Sequence, residues 1–144
     1  MNVSNAMRLA IHLTTYSLGC IFEVMGSIRY NPKVREYIAA LPEELREEVI
    51  GTLQYLEQYG RQAVLPEVHH NIAGSRDLTE TRNQMTINGR RYTIRCLLVL
   101  HSDTDLLACV IRDKDSYQAP SGRDWYMDFV PVARAVYDHM KGTL

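Results

Sequence analysis

The sequence predicts an α+β domain, in which a small, mainly antiparallel sheet of about four strands carries two N-terminal helices and a C-terminal helix. Residues 74–114 have the pattern of three consecutive strands joined by polar turns. Two segments with apolar residues at helical spacing precede them, within 31–60, and a third follows at 124–140. A chain of 144 residues is long enough to form one domain with a sizeable core.

Residues 26–30 form the first predicted strand, and two helices follow it. Asn31 suits the cap of the first helix, and Pro32 is tolerated at its first position. Glu43 and Glu44 suit the positive end of the second helix, and Gly60 is expected to end it. The apolar positions are Val34, Tyr37, Ile38 and Leu41 in the first helix, and Leu45, Val49, Leu53 and Leu56 in the second.

Residues 62–72 are predicted to form a polar connector. They contain His69 and His70, an adjacent pair that invites a metal-binding interpretation. Neighbouring side chains on a strand point to opposite sides, and no further ligand cluster stands nearby in sequence. We therefore predict a loop here and no metal site.

Residues 88–114 carry the predicted hairpins. Asn88-Gly89 is typical of a tight turn, because both residues tolerate positive φ, and the residues of the turn at 102–105 hydrogen-bond their own backbone. Arg95 lies inside the central strand, where a buried charge needs a partner or a ligand. Arg82, on the preceding strand, is expected on the same side. In a regular strand, Thr93, Leu97, Val99 and His101 share the face of Arg95, while Tyr92, Ile94, Cys96, Leu98 and Leu100 share the other.

The last helix is expected to pack back on the sheet. Asp124 suits its N-cap, and Pro131 must bend it or delay its start. Its apolar side consists of Trp125, Val130, Ala133, Val136, Tyr137 and Met140.

Charge and cysteine content limit the function classes. The net charge is −1, which argues against binding to nucleic acid through bulk charge. Residues 31–62 carry four basic and six acidic side chains, whereas residues 76–95 carry five basic and two acidic ones. This polarity suits an anionic ligand on the sheet, and the acidic second helix does not suit a DNA major groove. Three cysteines without metal spacing, Cys20, Cys96 and Cys109, favour a cytosolic protein with reduced thiols.

Residues 1–25 form an N-terminal extension without an assigned role. Their apolar run is interrupted by polar residues, which disfavours both a secretory signal and a membrane span. Two alternatives stay open: Met25 is the functional start, or the extension docks on the domain as a strand or short helix.

Several short motifs stand in an order that matches a known family. They are Ile28-Arg29-Tyr30-Asn31-Pro32, then Leu41-Pro42-Glu43-Glu44-Leu45-Arg46, Leu56 to Gly60, Gly74-Ser75-Arg76-Asp77-Leu78 with Glu80 and Arg82, the Arg95 strand, Asp113-Lys114, and Trp125-Tyr126 with Pro131, Ala133, Tyr137 and His139. Through them the chain resembles the RelE/ParE toxin superfamily, particularly its HigB-like branch, and the resemblance makes 26–144 a toxin domain.

The resemblance implies a type II toxin of the cytoplasm. RNase members of this superfamily cut messenger RNA on the ribosome without a metal or other cofactor, through attack of the ribose 2′-hydroxyl on the adjacent phosphate. The expected partners are messenger RNA, the ribosome and a cognate antitoxin, a small helix-turn-helix protein that covers the basic face. No membrane partner is expected.

The resemblance also implies roles for individual residues. Arg95 and Arg82 match the arginines of the family's central strands and are expected to stabilise the charged phosphate. Lys114 matches the basic residue after the last strand. Tyr117 or Tyr126 is expected to supply a phenol near the scissile group or to stack on a base, and Tyr126 is counted with the catalytic residues. Expected on the substrate are Arg76 and Arg91 from the basic segment, Tyr117 as a second phenol or stacking ring, and His101 as an acid–base or turn residue.

An ion pair is the alternative for each arginine. We expect Glu80 to share a face with Arg82 but to be poorly placed for pairing, and Asp113 to be a possible partner of Arg95.

The family often has a lysine where Ala73 stands. Two other functions therefore stay open: a ParE-like, non-catalytic gyrase inhibitor, and a catalytically inactive phage or prophage interaction protein on the same fold.

Overall fold

The computed structural model describes residues 26–118 and 124–143. The extension 1–25, with Cys20 and Met25, lies outside the described residues. Single-turn 3₁₀ helices connect several of the main elements. In chain order, the strands and α-helices are β1 (Ser27–Tyr30), α1 (Pro32–Ala39), α2 (Glu43–Tyr59), β2 (Val68–His70), β3 (Leu78–Ile87), β4 (Arg90–Leu100), β5 (Asp105–Asp113) and α3 (Trp125–Met140).

The strands form a five-stranded, mostly antiparallel sheet in the order β1-β5-β4-β3-β2. The β1 strand runs parallel to β5, and the other three pairs are antiparallel. The predicted α+β class is therefore confirmed. The prediction that 62–72 is only a connector is wrong, because Val68 pairs with Thr81 and residues 68–70 form an edge strand. Three residues are too few for a periodic pattern to reveal a strand.

The predicted turns and caps are present. Asn88 and Gly89 both have positive φ, 50° and 80°, as a tight hairpin turn requires. Asn31 Oδ1 accepts a hydrogen bond from the amide of Lys33, and Asp124 Oδ1 accepts one from Met127. The last helix starts at Trp125, so Pro131 lies in its interior and does not delay it.

Gly60 ends α2 in a conformation that favours glycine. Its φ of 54° and ψ of −131° belong to a region that residues with a side chain rarely adopt. A Cβ at this position would also stand 2.7 Å from the carbonyl oxygen of Asp103. The glycine therefore lets the end of α2 approach the β4–β5 turn.

The two faces of the sheet bury different apolar sets. Ile94, Cys96 and Leu98 pack with α1 and α2, whereas Leu97 and Val99 pack with α3, as the alternation along β4 predicts. The thiols of Cys96 and Cys109 are free and buried, and burial raises the pKa of Cys109 to about 12. None of the helices within 26–118 and 124–143 is long and apolar enough to cross a membrane.

Candidate functional site

Three arginines stand side by side on the sheet face that α3 covers. Arg82 of β3 is directly opposite Arg95 of β4, and Arg95 is directly opposite Arg112 of β5. We call these three residues the arginine row. Side chains of opposed residues share a face, with Cβ atoms about 5 Å apart, and like charges so placed repel each other. The row therefore requires an anionic partner, an anionic ligand, or both.

A bulge in β5 completes the row. Leu100 is opposite Leu106, and continuing that register would place Ile111 opposite Arg95. The register shifts between Leu97 and Leu98, and beyond the shift Arg95 faces Arg112. A bulge adds one residue to a strand and thereby moves later side chains to the other face. The guanidinium of Arg112 thus comes to the face of Arg82 and Arg95.

Glu80 and Tyr126 connect the first two arginines. Arg82 Nε donates to Glu80 Oε1 over 2.5 Å, and Arg95 Nη1 lies 3.7 Å from the same oxygen. The Tyr126 hydroxyl accepts hydrogen bonds from Arg82 Nη2 (2.7 Å) and Arg95 Nη1 (3.0 Å). It donates to Glu80 Oε1 over 3.0 Å. The start of α3 is therefore attached to the sheet through one phenol.

Burial differs strongly within this cluster. Glu80 is 0% exposed and Arg95 is 9% exposed, whereas the Arg82 side chain is 30% exposed and Arg112 is open to solvent. Arg82 and Arg95 carry two positive charges and share the one negative charge of Glu80. One positive charge of this pair is therefore not compensated by Glu80. Arg112 adds another. Arg95 therefore takes part in an ion pair, which is the alternative stated for it above. The guanidiniums at the two ends of the row, Arg82 and Arg112, are at least partly accessible to a ligand.

Two expectations about ion pairs are wrong. Glu80 does pair with Arg82, since the two side chains share a face of β3 and the flexible arginine stem brings Nε to the carboxylate. Asp113 does not pair with Arg95. Its carboxylate instead accepts hydrogen bonds from the Thr93 amide (3.0 Å) and the Ser116 hydroxyl (2.7 Å), and so closes the turn after β5.

An aromatic cluster borders the row at Arg112. The guanidinium carbon of Arg112 lies 5.7 Å from the ring centre of Phe129. The Tyr117 ring stands edge-on to Phe129 and Trp125, with centres 4.9 and 5.8 Å away, and its hydroxyl donates to Asp128. Tyr117, one of the predicted substrate-binding residues, therefore lies near the row.

Of the other predicted site residues, His101, Arg76 and Arg91 lie apart from the row, whereas Lys114 follows Arg112 by two residues. His101 directly follows β4, six residues and about 20 Å beyond Arg95, and its Nδ1 lies 2.9 Å from the Tyr137 hydroxyl. Arg76 precedes β3 near that same end of the sheet, and its carbonyl accepts a hydrogen bond from Arg61. At the opposite end, exposed Lys114 follows β5, and Arg91 lies 3.6 Å from Asp115.

His69, for which the sequence indicated no functional role, lies beside Glu80 and the arginine row. His69 is directly opposite Glu80 across the β2–β3 pair, so it shares the face of the arginine row. The residue is half-buried. Burial lowers the pKa of His69, and the positive charge of Arg82 lowers it further. Its imidazole is therefore mainly neutral at pH 7 and able to accept a proton.

The pKa of Tyr126 is shifted in the opposite direction to that of His69. Burial raises the pKa of Tyr126, and the adjacent carboxylate of Glu80 raises it further. Its hydroxyl therefore keeps its proton at neutral pH and serves as a hydrogen-bond donor.

The cluster contains basic groups, a phenol and an imidazole. Within the described part of the chain, no group of three or more His, Cys, Asp and Glu side chains is arranged to hold a metal ion. Comparison with known proteins gives no further assignment: no protein-family model, no curated protein and no solved structure matches the chain.

Proposed function

We propose that this protein is a toxin of the RelE/ParE kind and acts as an endoribonuclease on messenger RNA at the ribosome. The observation that carries the proposal is the arginine row on β3, β4 and β5, which has more positive charge than Glu80 compensates. The α+β fold, with two helices on one face and a C-terminal helix, agrees with what the sequence resemblance implies.

The reaction is a transfer of the phosphate from one ribose oxygen to another. The 2′-oxygen forms a bond to phosphorus, the bond from phosphorus to the 5′-oxygen of the next nucleotide breaks, and a 2′,3′-cyclic phosphate and a 5′-hydroxyl result. A base takes the 2′ proton and an acid gives a proton to the leaving oxygen. Negative charge grows on the phosphate oxygens in between, where guanidinium groups are most effective.

The three arginines of the row have different roles because their exposure to solvent differs. Arg112 is exposed and Arg82 is partly exposed, and both contact the phosphate. Arg95 is buried beneath Tyr126, so it adds positive potential and holds the phenol in place. Tyr126 donates a hydrogen bond to the leaving oxygen or to the phosphate, which requires its present bond to Glu80 to be exchanged.

His69 is the base in this proposal. Its position opposite Glu80 brings it next to Arg82, which binds the phosphate. Since its pKa lies below the usual 6.5, the base form is available at cytoplasmic pH.

The pH profile of cleavage tests this role. With messenger bound to purified ribosomes and enzyme in excess, the cleavage rate is expected to rise tenfold per pH unit up to an inflection below 6.5 and then to level off. His69→Ala is expected to lower the rate by about 10²-fold and to abolish the inflection. His101→Ala, in the turn that follows the far end of β4, is the matched control. An unchanged profile in His69→Ala removes His69 from the mechanism.

The product ends test the function itself. Added to translating ribosomes, the protein is expected to cut messenger RNA and leave 2′,3′-cyclic phosphate and 5′-hydroxyl ends, which enzymatic end-labelling distinguishes from other ends. An intact messenger with blocked gyrase supercoiling would instead favour the ParE-like alternative. Intact messenger, active gyrase and normal growth would favour the inactive interaction protein. An adjacent gene for a small helix-turn-helix protein would support the expected antitoxin.

A further inference from the structure

A groove runs along the side of α3 and begins at the arginine row. It has a volume of about 550 Å³ and lies between the start of α1, strand β5 and the C-terminal half of α3. Arg112 belongs to both the row and the groove. Its apolar walls include Val34, Val132, Val136 and Met140.

The polar side chains that line the groove are three basic residues and Asn31. Lys33 at the start of α1, Arg112 on β5 and His139 on α3 line it, and all three are exposed. Among the described residues that line the groove, none is Asp or Glu. Its chemistry therefore suits a ligand that combines a negative charge with a flat apolar surface, as a nucleotide does.

The β5 edge within the groove is already occupied by groups of the chain itself. The Asn31 amide donates to the carbonyl of Ala108, the Asn31 side chain to that of Cys109, and Arg112 Nη1 to that of Ile111. A peptide adding to this edge as a further strand would have to displace these bonds. A ligand held by charged side-chain tips and apolar walls displaces none of the bonds from Asn31. This favours a nucleotide over a peptide strand.

We propose that this groove is a binding subsite for the nucleotide that follows or precedes the scissile phosphate in single-stranded RNA. Lys33 and His139 bind the flanking phosphate, and the base lies against the apolar wall formed by Val132 and Val136. Arg112 joins the subsite to the arginine row, so one RNA strand contacts both. The inference rests on the proposed function for its ligand class, and binding and cleavage can be measured separately.

The test measures binding with an RNA that the protein cannot cut. The probe is a fluorescein-labelled, single-stranded octanucleotide with 2′-O-methyl riboses, and fluorescence anisotropy of the full chain gives the Kd. The double variant Lys33→Ala/His139→Ala is expected to weaken binding about tenfold. The slope of log affinity against log salt is expected to fall by about 0.7 for each phosphate that the variant no longer binds. Ala135→Trp, which fills the groove without changing charge, is expected to weaken binding as well.

Lys141→Ala is the matched control, because Lys141 is an exposed lysine at the end of α3 that pairs with Asp138. Unchanged thermal unfolding midpoints are expected, since all the substituted side chains are exposed. Failure of the wild type to bind the probe, or wild-type binding by both groove variants, overturns the proposal. Groove-dependent binding without any messenger cleavage would support the subsite and reject the endoribonuclease. Cleavage that requires Arg82 but is unchanged in the groove variants would support the endoribonuclease and reject the subsite.

Discussion

Glu80→Ala is expected to lower the free energy of unfolding by about 3–5 kcal/mol, as removal of one partner of a buried ion pair does elsewhere. Glu80 is fully buried, and its Oε1 lies within 3.7 Å of groups from Arg82, Arg95 and Tyr126. Its removal leaves Arg95 charged and buried without a carboxylate. Urea unfolding, followed by circular dichroism, measures the loss.

Two further variants separate the charge from the side-chain volume. Glu80→Met combined with Arg95→Met is expected to lose much less stability than Glu80→Ala alone, since no charge is then left buried at Arg95. Asp138→Ala removes an exposed partner of Lys141 and is expected to cost less than about 1 kcal/mol. A loss below about 1 kcal/mol for Glu80→Ala would show that Arg95 is stabilised by something other than this carboxylate.

Arg82→Ala and Arg112→Ala are each expected to lower the rate of messenger cleavage by about 10²–10³-fold, the usual effect of removing one group that stabilises the developing charge. Both guanidiniums are accessible, and both lie in one line across the sheet with Arg95. Arg82→Lys is expected to restore little activity. One ammonium cannot reproduce the fork by which Arg82 binds Glu80 through Nε and Tyr126 through Nη2. Single-turnover cleavage on ribosomes gives the rates.

Arg46→Ala supplies the control for these variants. Arg46 is a half-buried arginine on α2, the helix that covers the other face of the sheet, and its Nη1 donates to the carbonyl of Ala39. A decrease in activity in Arg46→Ala as large as in Arg82→Ala would point to a general effect of removing positive charge. Full activity of both row variants would exclude the row from phosphate binding.

Local pattern was sufficient for much of the fold. Helical spacing placed α1, α2 and α3, and alternation along β4 identified its two faces. The two-residue turn at Asn88-Gly89 fixes the β3–β4 register, and that register alone brings Arg82 opposite Arg95. The position of Arg82 on the same face as Arg95 can therefore be predicted from the sequence, because it depends on a short connection between two strands.

The remaining parts of the site depend on contacts between distant segments. Arg112 belongs to the row because of a bulge in β5, and no residue type in that segment predicts the bulge. The choice of Tyr126 among the tyrosines, its bonds to Glu80 and both arginines, and the place of His69 all require β2 and α3 to be packed on the sheet.

The sequence by itself determined the α+β class, the turns and caps, and the shared face of Arg82 and Arg95, because hydrogen bonding and apolar periodicity act over a few residues. Only the tertiary structure decided that Arg95 is buried, that Arg82 is partly exposed and Arg112 exposed, and that one carboxylate, Glu80, is shared by Arg82 and Arg95. Burial and charge compensation depend on what α3 and β5 bring from elsewhere in the chain, and no local spacing records that.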